Sequence, residues 1–152
     1  MRVVSNSSPL IALEQIQQLD LLQSLFTEIL IPDQVAAETV ASVQPRSWIR
    51  QQSLSLPLLP ATQRPTLGPG EREAICLAVE VQAEAILLDD DPARKLAIQL
   101  GLPVIGTAGV LILAKERELI VAVRPCLDPL IENRFFLART VYELILKRVG
   151  EM

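Results

Sequence analysis

Residues 85–109 read AILLDDDPARKLAIQLGLPVIGTAG, and this stretch decides the fold. The apolar run 85–88 is too short for a helix and reads as a strand buried on both faces. Asp89, Asp90 and Asp91 end it, and Pro92 opens a helix that runs to Leu100 and closes at Gly101. Asp91, directly before Pro92, reads as the helix N-cap. A further strand follows at 103–106, and Thr107 reads as the cap of a helix reaching about Glu118. Strands of about four apolar residues alternating with helices imply a parallel sheet covered on both faces.

The same alternation extends towards the N-terminus. Residues 2–5 (RVVS) read as a first strand. Ser7-Ser8-Pro9 reads as a helix opening, a hydroxyl cap followed by Pro at the first helical position. Leu10, Ile11, Ile16, Leu19, Leu22, Leu25 and Phe26 carry helical spacing, broken into two helices near Leu19-Asp20. Residues 28–31 form the next strand. Pro32 then opens a helix from Asp33 to about Val43, with Asp33 at its positive end. Residues 44–69 are punctuated by Pro45, Pro57, Pro60, Pro65 and Pro69 and read as an irregular insert. Within it Leu54, Leu56 and Leu58 alternate like an edge strand, with Trp48 packing beneath. A helix resumes after Gly70 through Ala74, Ile75, Leu77, Ala78 and Val81. Two helices at about 125–133 and 138–149 make the tail, the last with Val141, Leu144, Ile145 and Val149 on one face. The reading is one α/β domain over residues 1–152, with the insert at about 44–69.

Composition narrows the chemistry. The chain has 152 residues, half of them hydrophobic but only 3% aromatic, so its core is built of Leu, Ile, Val and Ala. It has no histidine, which excludes Ser-His-Asp and Cys-His catalysis, His-ligated zinc and an imidazole base. Cys76 and Cys126 form no CxxC pair and read as buried free thiols of a reducing compartment. A formal charge of −4 argues against a non-specific nucleic-acid coat. The N-terminus is a poor signal peptide, and no apolar run approaches the ~20 residues of a membrane span. A cytoplasmic protein is expected. The apolar content also points to a homodimer, with Leu10, Leu13 and the Leu21-Leu22 region as candidate contacts.

In a parallel α/β sheet the functional crevice lies beyond the carboxyl ends of the strands. Asn6 follows the first strand, Asp89, Asp90 and Asp91 follow the strand at 85–88, and Thr107 follows the strand at 103–106. Glu38 stands in an otherwise apolar helix, where it reads as solvent-facing or as part of the crevice. Glu71 and Glu73 in a first helical turn complement the helix dipole or join the same site. Adjacent acids at the end of a buried strand repel one another unless solvent or a cation intervenes. Oxygen ligands without His or Cys select Mg²⁺ or Mn²⁺. Such an ion suits phosphodiester cleavage, orienting a water and neutralising phosphate charge. No GxGxxG follows the first strand, so a dinucleotide fold lacks support. A receiver domain would need its paired acids after the first strand and a Lys after a late one.

Four segments together resemble the PIN domain: VVSNSSPLIAL, LIPDQVAAET, GPGEREAICLA and AILLDDDPARKLAIQLGLPVIGTAGVL. Their order and spacing carry the resemblance, which covers nearly the whole chain and is strongest to a VapC-like branch of predicted nucleic-acid-binding proteins. It implies a three-layer α/β/α sandwich and Mg²⁺- or Mn²⁺-dependent RNA cleavage by clustered acids. Carried over, the metal-site positions fall on Asn6, Glu38, Glu71 (with Glu73 as the other candidate) and Asp90 with Asp89 adjacent. Glu38, Glu71 and Asp90 are the catalytic candidates, and Ser8 and Thr107 match polar positions near the metal. The pattern usually has Asp where this chain has Asn6, which weakens metal affinity and can leave only an RNA- or protein-binding module. The resemblance also implies a homodimer and a toxin paired with a short antitoxin.

Overall fold

The computed structural model describes residues 2–152. Five parallel strands form one sheet: β1 (Val3–Ser5), β2 (Ile29–Ile31), β3 (Ile49–Gln51), β4 (Ala85–Leu87) and β5 (Val104–Ile105), in the spatial order β3-β2-β1-β4-β5. The central register pairs Val4 with Leu30 on one side and with Ile86 on the other. Every residue of β1, β2 and β4 is buried, which requires cover on both faces of the sheet.

Among the described residues eight α-helices surround the sheet or one another: α1 (Ser7–Gln15), α2 (Leu21–Phe26), α3 (Asp33–Thr39), α4 (Pro69–Glu80), α5 (Asp91–Gln99), α6 (Thr107–Glu116), α7 (Arg124–Glu132) and α8 (Arg139–Arg148). α6 packs on α1 and α2, while α4 lies on β1 and β4 and against α5. The core is aliphatic, with Leu10, Leu13, Leu22, Ile75, Leu77, Ile86 and Leu111 fully enclosed. Cys76 and Cys126 are free and buried, as expected. No helix among the described residues is long and apolar enough to cross a membrane.

Several local expectations are corrected. The edge strand is Ile49–Gln51, not the Leu54-Leu56-Leu58 alternation. Trp48 is buried and its carbonyl accepts from Ile29 N at 2.9 Å, which starts the β2–β3 pairing. Downstream, Ser55 N and Leu56 N donate to the Glu80 carboxylate and Leu59 N reaches Cys76 Sγ, so these donors are taken by side chains of α4. α3 ends at Thr39, whose hydroxyl bonds back to Val35 O at 2.9 Å, and Val40 beyond it is exposed. The N-cap of α5 is Asp90, not Asp91: Asp90 Oδ2 accepts from Ala93 N at 3.4 Å, and Asp91 is the first helical residue. Likewise Gly106 and Asn6 hold the N-cap positions of α6 and α1, with Thr107 and Ser7 already helical. On α8 it is Ile145 and Leu146 that are buried, while Val141 and Leu144 face outward. The side chains of Leu10, Leu13, Leu21 and Leu22 are buried in the core of the single chain.

Candidate metal centre

The site is assembled at the carboxyl end of the sheet. Asn6 ends β1, its backbone N–H donating to Leu87 O of β4 at 3.1 Å. Its side chain is buried and its Oδ1 has no hydrogen-bond partner among the described residues. A buried amide oxygen is normally satisfied, and leaving one bare costs about 1–3 kcal/mol. This orphan oxygen marks a place where an electropositive group fits.

Glu38 reaches the same place from α3. The Ser7 hydroxyl donates to its Oε1, and Gln34 Nε2 lies 3.5 Å from Oε2. The carboxylate lies directly over Gly70, where an added Cβ would stand 2.2 Å from Oε1. Glu38 therefore lines the crevice while remaining exposed to solvent. Glu71 opens α4, and its Oε1 accepts from Gly68 N at 2.7 Å, closing the first turn of the helix. Burial raises the Glu71 pKa above its ordinary value; the Gly68 bond opposes this, and the charges of Asp90 and Glu38 add to the rise. Those causes place three carboxylates within electrostatic reach of one another.

The remaining candidates are tied into the scaffold. Asp89 accepts from Thr107 N at 2.8 Å and Thr107 Oγ1 at 2.7 Å, with Ser8 Oγ at 3.4 Å. Thr107 is fully buried, so Asp89 clamps the start of α6 to the end of β4. Glu73 points elsewhere: it accepts from Gln34 N at 3.0 Å and fastens α4 to α3. Asn6, Ser8, Glu38 and Glu71 line one cleft, and Asn6, Ser8, Glu71, Asp89 and Asp90 line a second. Sequence reasoning passed over Ser7, Gly70, Arg134 and Phe135, all of which line these clefts or shape them. The signals were present: a glycine directly before the acid at 71, and a basic-aromatic NRFF segment in an aromatic-poor chain.

A family model described as a PIN domain matches residues 2–151. The chain belongs to the PIN domain family. PIN domains are generally nucleases and typically use divalent metal ions. The fold is also similar to that of a PilT N-terminus domain protein from the hyperthermophilic archaeon Sulfolobus solfataricus P2. That match has a TM-score of 0.56 at 20% identity and covers 72% of this chain and 90% of the other. No curated protein matches the sequence.

Among the described residues no three acids or thiols are drawn tight enough to chelate an ion as they stand. The donor set of this PIN domain nonetheless fits a hard divalent cation. It offers the unpartnered Asn6 Oδ1 and the oxygens of Glu38, Glu71 and Asp90, with a like-charge repulsion that a cation relieves.

Proposed function

We propose that this PIN domain is a metal-dependent endoribonuclease whose ion is held by Asn6, Glu38, Glu71 and Asp90. The observation that carries the reading is the buried, unpartnered Asn6 Oδ1 beside Glu38, Glu71 and Asp90; burial raises the Glu71 pKa, and the charges of Asp90 and Glu38 add to the rise. A bound Mg²⁺ or Mn²⁺ would acidify and orient a water and neutralise charge on the scissile phosphate. Ser7 orients the Glu38 carboxylate and the Gly68 N–H fixes that of Glu71. Asp90 is positioned by its bond to the first turn of α5, and Asp89 with Thr107 sets the distance between β4 and α6.

Asn6 also supports a second reading, a weakly active or inactive module that binds RNA or a protein. It offers a neutral carbonyl where a carboxylate would hold the ion more firmly. A toxin role with a short antitoxin partner rests on the VapC-like order of the four segments. The test is cleavage of labelled single-stranded RNA with Mn²⁺, with EDTA, and with Glu71→Gln. Cleavage that needs both the ion and Glu71 supports the enzyme. RNA binding without cleavage supports the module.

A further inference from the structure

Two clefts, of about 460 and 1240 Å³, meet at the acids. Both are lined by Asn6, Ser8, Glu71, Arg134 and Phe135. The smaller continues past Glu38, the larger past Asp90 to Phe136 and Arg148. The acids therefore lie along a continuous trough and not in a closed pocket.

One wall of the trough at this junction is the segment after α7. Its backbone is fixed: Arg134 N donates to Ile131 O at 3.0 Å, Phe135 N to Leu130 O at 2.9 Å, and Asn133 Nδ2 to Pro129 O at 2.8 Å. Arg134 holds φ +68°, a conformation that glycine adopts without strain and arginine does not. Among the described residues its side chain takes part in none of the ion pairs, which join other arginines and Lys115 to acids. Phe135 packs against the core, whereas Phe136 is 88% exposed and lines the larger arm. A solitary exposed Phe is ordinary on a protein surface. Its place in one trough with the acids and an arginine free of acids is not explained by packing.

We infer that Arg134 and Phe136 hold the substrate strand. Arg134 takes a phosphate beside the one at the acids, and Phe136 stacks a base of a single strand running along the larger arm. The inference deepens the nuclease reading of the acid cluster and rests on it. Arg94, which donates to Leu88 O at 2.8 Å, and Arg148, paired with Glu116 at 3.8 Å, line the same arm, so Arg134 is the arginine there whose side chain has no partner among the described residues. A duplex keeps its base faces stacked internally, so a stacking ledge selects single-stranded RNA.

The test uses fluorescence anisotropy of a short labelled single-stranded RNA in Mn²⁺, with the full chain carrying Asp90→Asn so that the ligand stays intact. Binding is read without cleavage, so it fails or succeeds independently of the cleavage assay. Phe136→Ala should weaken affinity by about 5- to 100-fold, Phe136→Trp should keep it, and an abasic strand should remove the difference. Arg134→Gly should reduce the slope of log K against log salt by about 0.7. The same change should raise the melting temperature, because glycine relieves the left-handed backbone. A purely structural Arg134 would not give a more stable protein that binds RNA less well. The inference is overturned if the parent does not bind RNA, binds duplex equally well, or keeps its affinity in both variants. It is also overturned if Phe136→Ala separates a dimer without changing RNA affinity, which would make the trough an interface between copies.

Discussion

The Glu38 carboxylate rests on Gly70: a methyl group built there would stand 2.2 Å from Glu38 Oε1. The glycine backbone is not left-handed, so the constraint is space and not conformation. Gly70→Ala favours the helix by up to about 1 kcal/mol but must push Glu38 aside. The expected result is a fold of similar stability in EDTA that has lost most of its stabilisation by Mn²⁺, measured by thermal denaturation.

Asn6→Asp should act in opposite directions with and without metal. A carboxylate in place of the buried amide adds charge beside Glu38, Glu71 and Asp90, so the melting temperature should fall in EDTA. With Mn²⁺ it should rise above that of the natural chain, and RNA cleavage should become faster. Equal metal response in the two proteins would remove Asn6 from the site.

The three consecutive aspartates should separate into three phenotypes. Asp89→Asn weakens two hydrogen bonds to the start of α6 and should destabilise the fold by about 1–3 kcal/mol. Asp90→Asn keeps a capping oxygen and should leave stability nearly unchanged while reducing metal binding and cleavage. Asp91→Asn removes only an exposed charge in the first turn, a loss of about 0.3–1 kcal/mol. Chemical denaturation of the three variants orders the first effect, and metal titration the second.

Much of this arrangement is legible in the sequence. The apolar runs at 85–88 and 29–31 announce strands because both of their faces are buried, and the acids after 85–88 mark the site edge. β3 is not legible: Arg50 and Gln51 are exposed, so the strand has no apolar signature beyond Trp48 and Ile49. The roles of Asp89 and Asp90 need coordinates, because a one-residue shift at a strand end decides which acid meets α6 and which caps α5. The trough wall at Arg134 depends on how α7 terminates, a tertiary feature without a periodic signal.

Glu151 gives the fold a pH dependence remote from the site. Burial pushes its pKa up, but the Val123 N–H, the Lys115 ammonium at 2.9 Å and the Arg124 N–H together outweigh it and hold the carboxyl below its ordinary value. A lowered folded-state pKa stabilises above the unfolded value, and that contribution is lost as pH falls through the folded one. Glu151→Gln should therefore cost about 1–3 kcal/mol near neutrality. The difference from the natural chain should shrink as the buffer is acidified through the carboxylate range, measured by urea denaturation at a series of pH values.

The central claim is that Asn6, Glu38, Glu71 and Asp90 form one divalent-cation site. Calorimetric titration of Mn²⁺ into the metal-free protein, beside Glu71→Gln, tests it most directly. The natural chain should bind with a stoichiometry near one, and the variant should bind far more weakly. A flat titration of the natural chain, or equal binding by the variant, would contradict the claim.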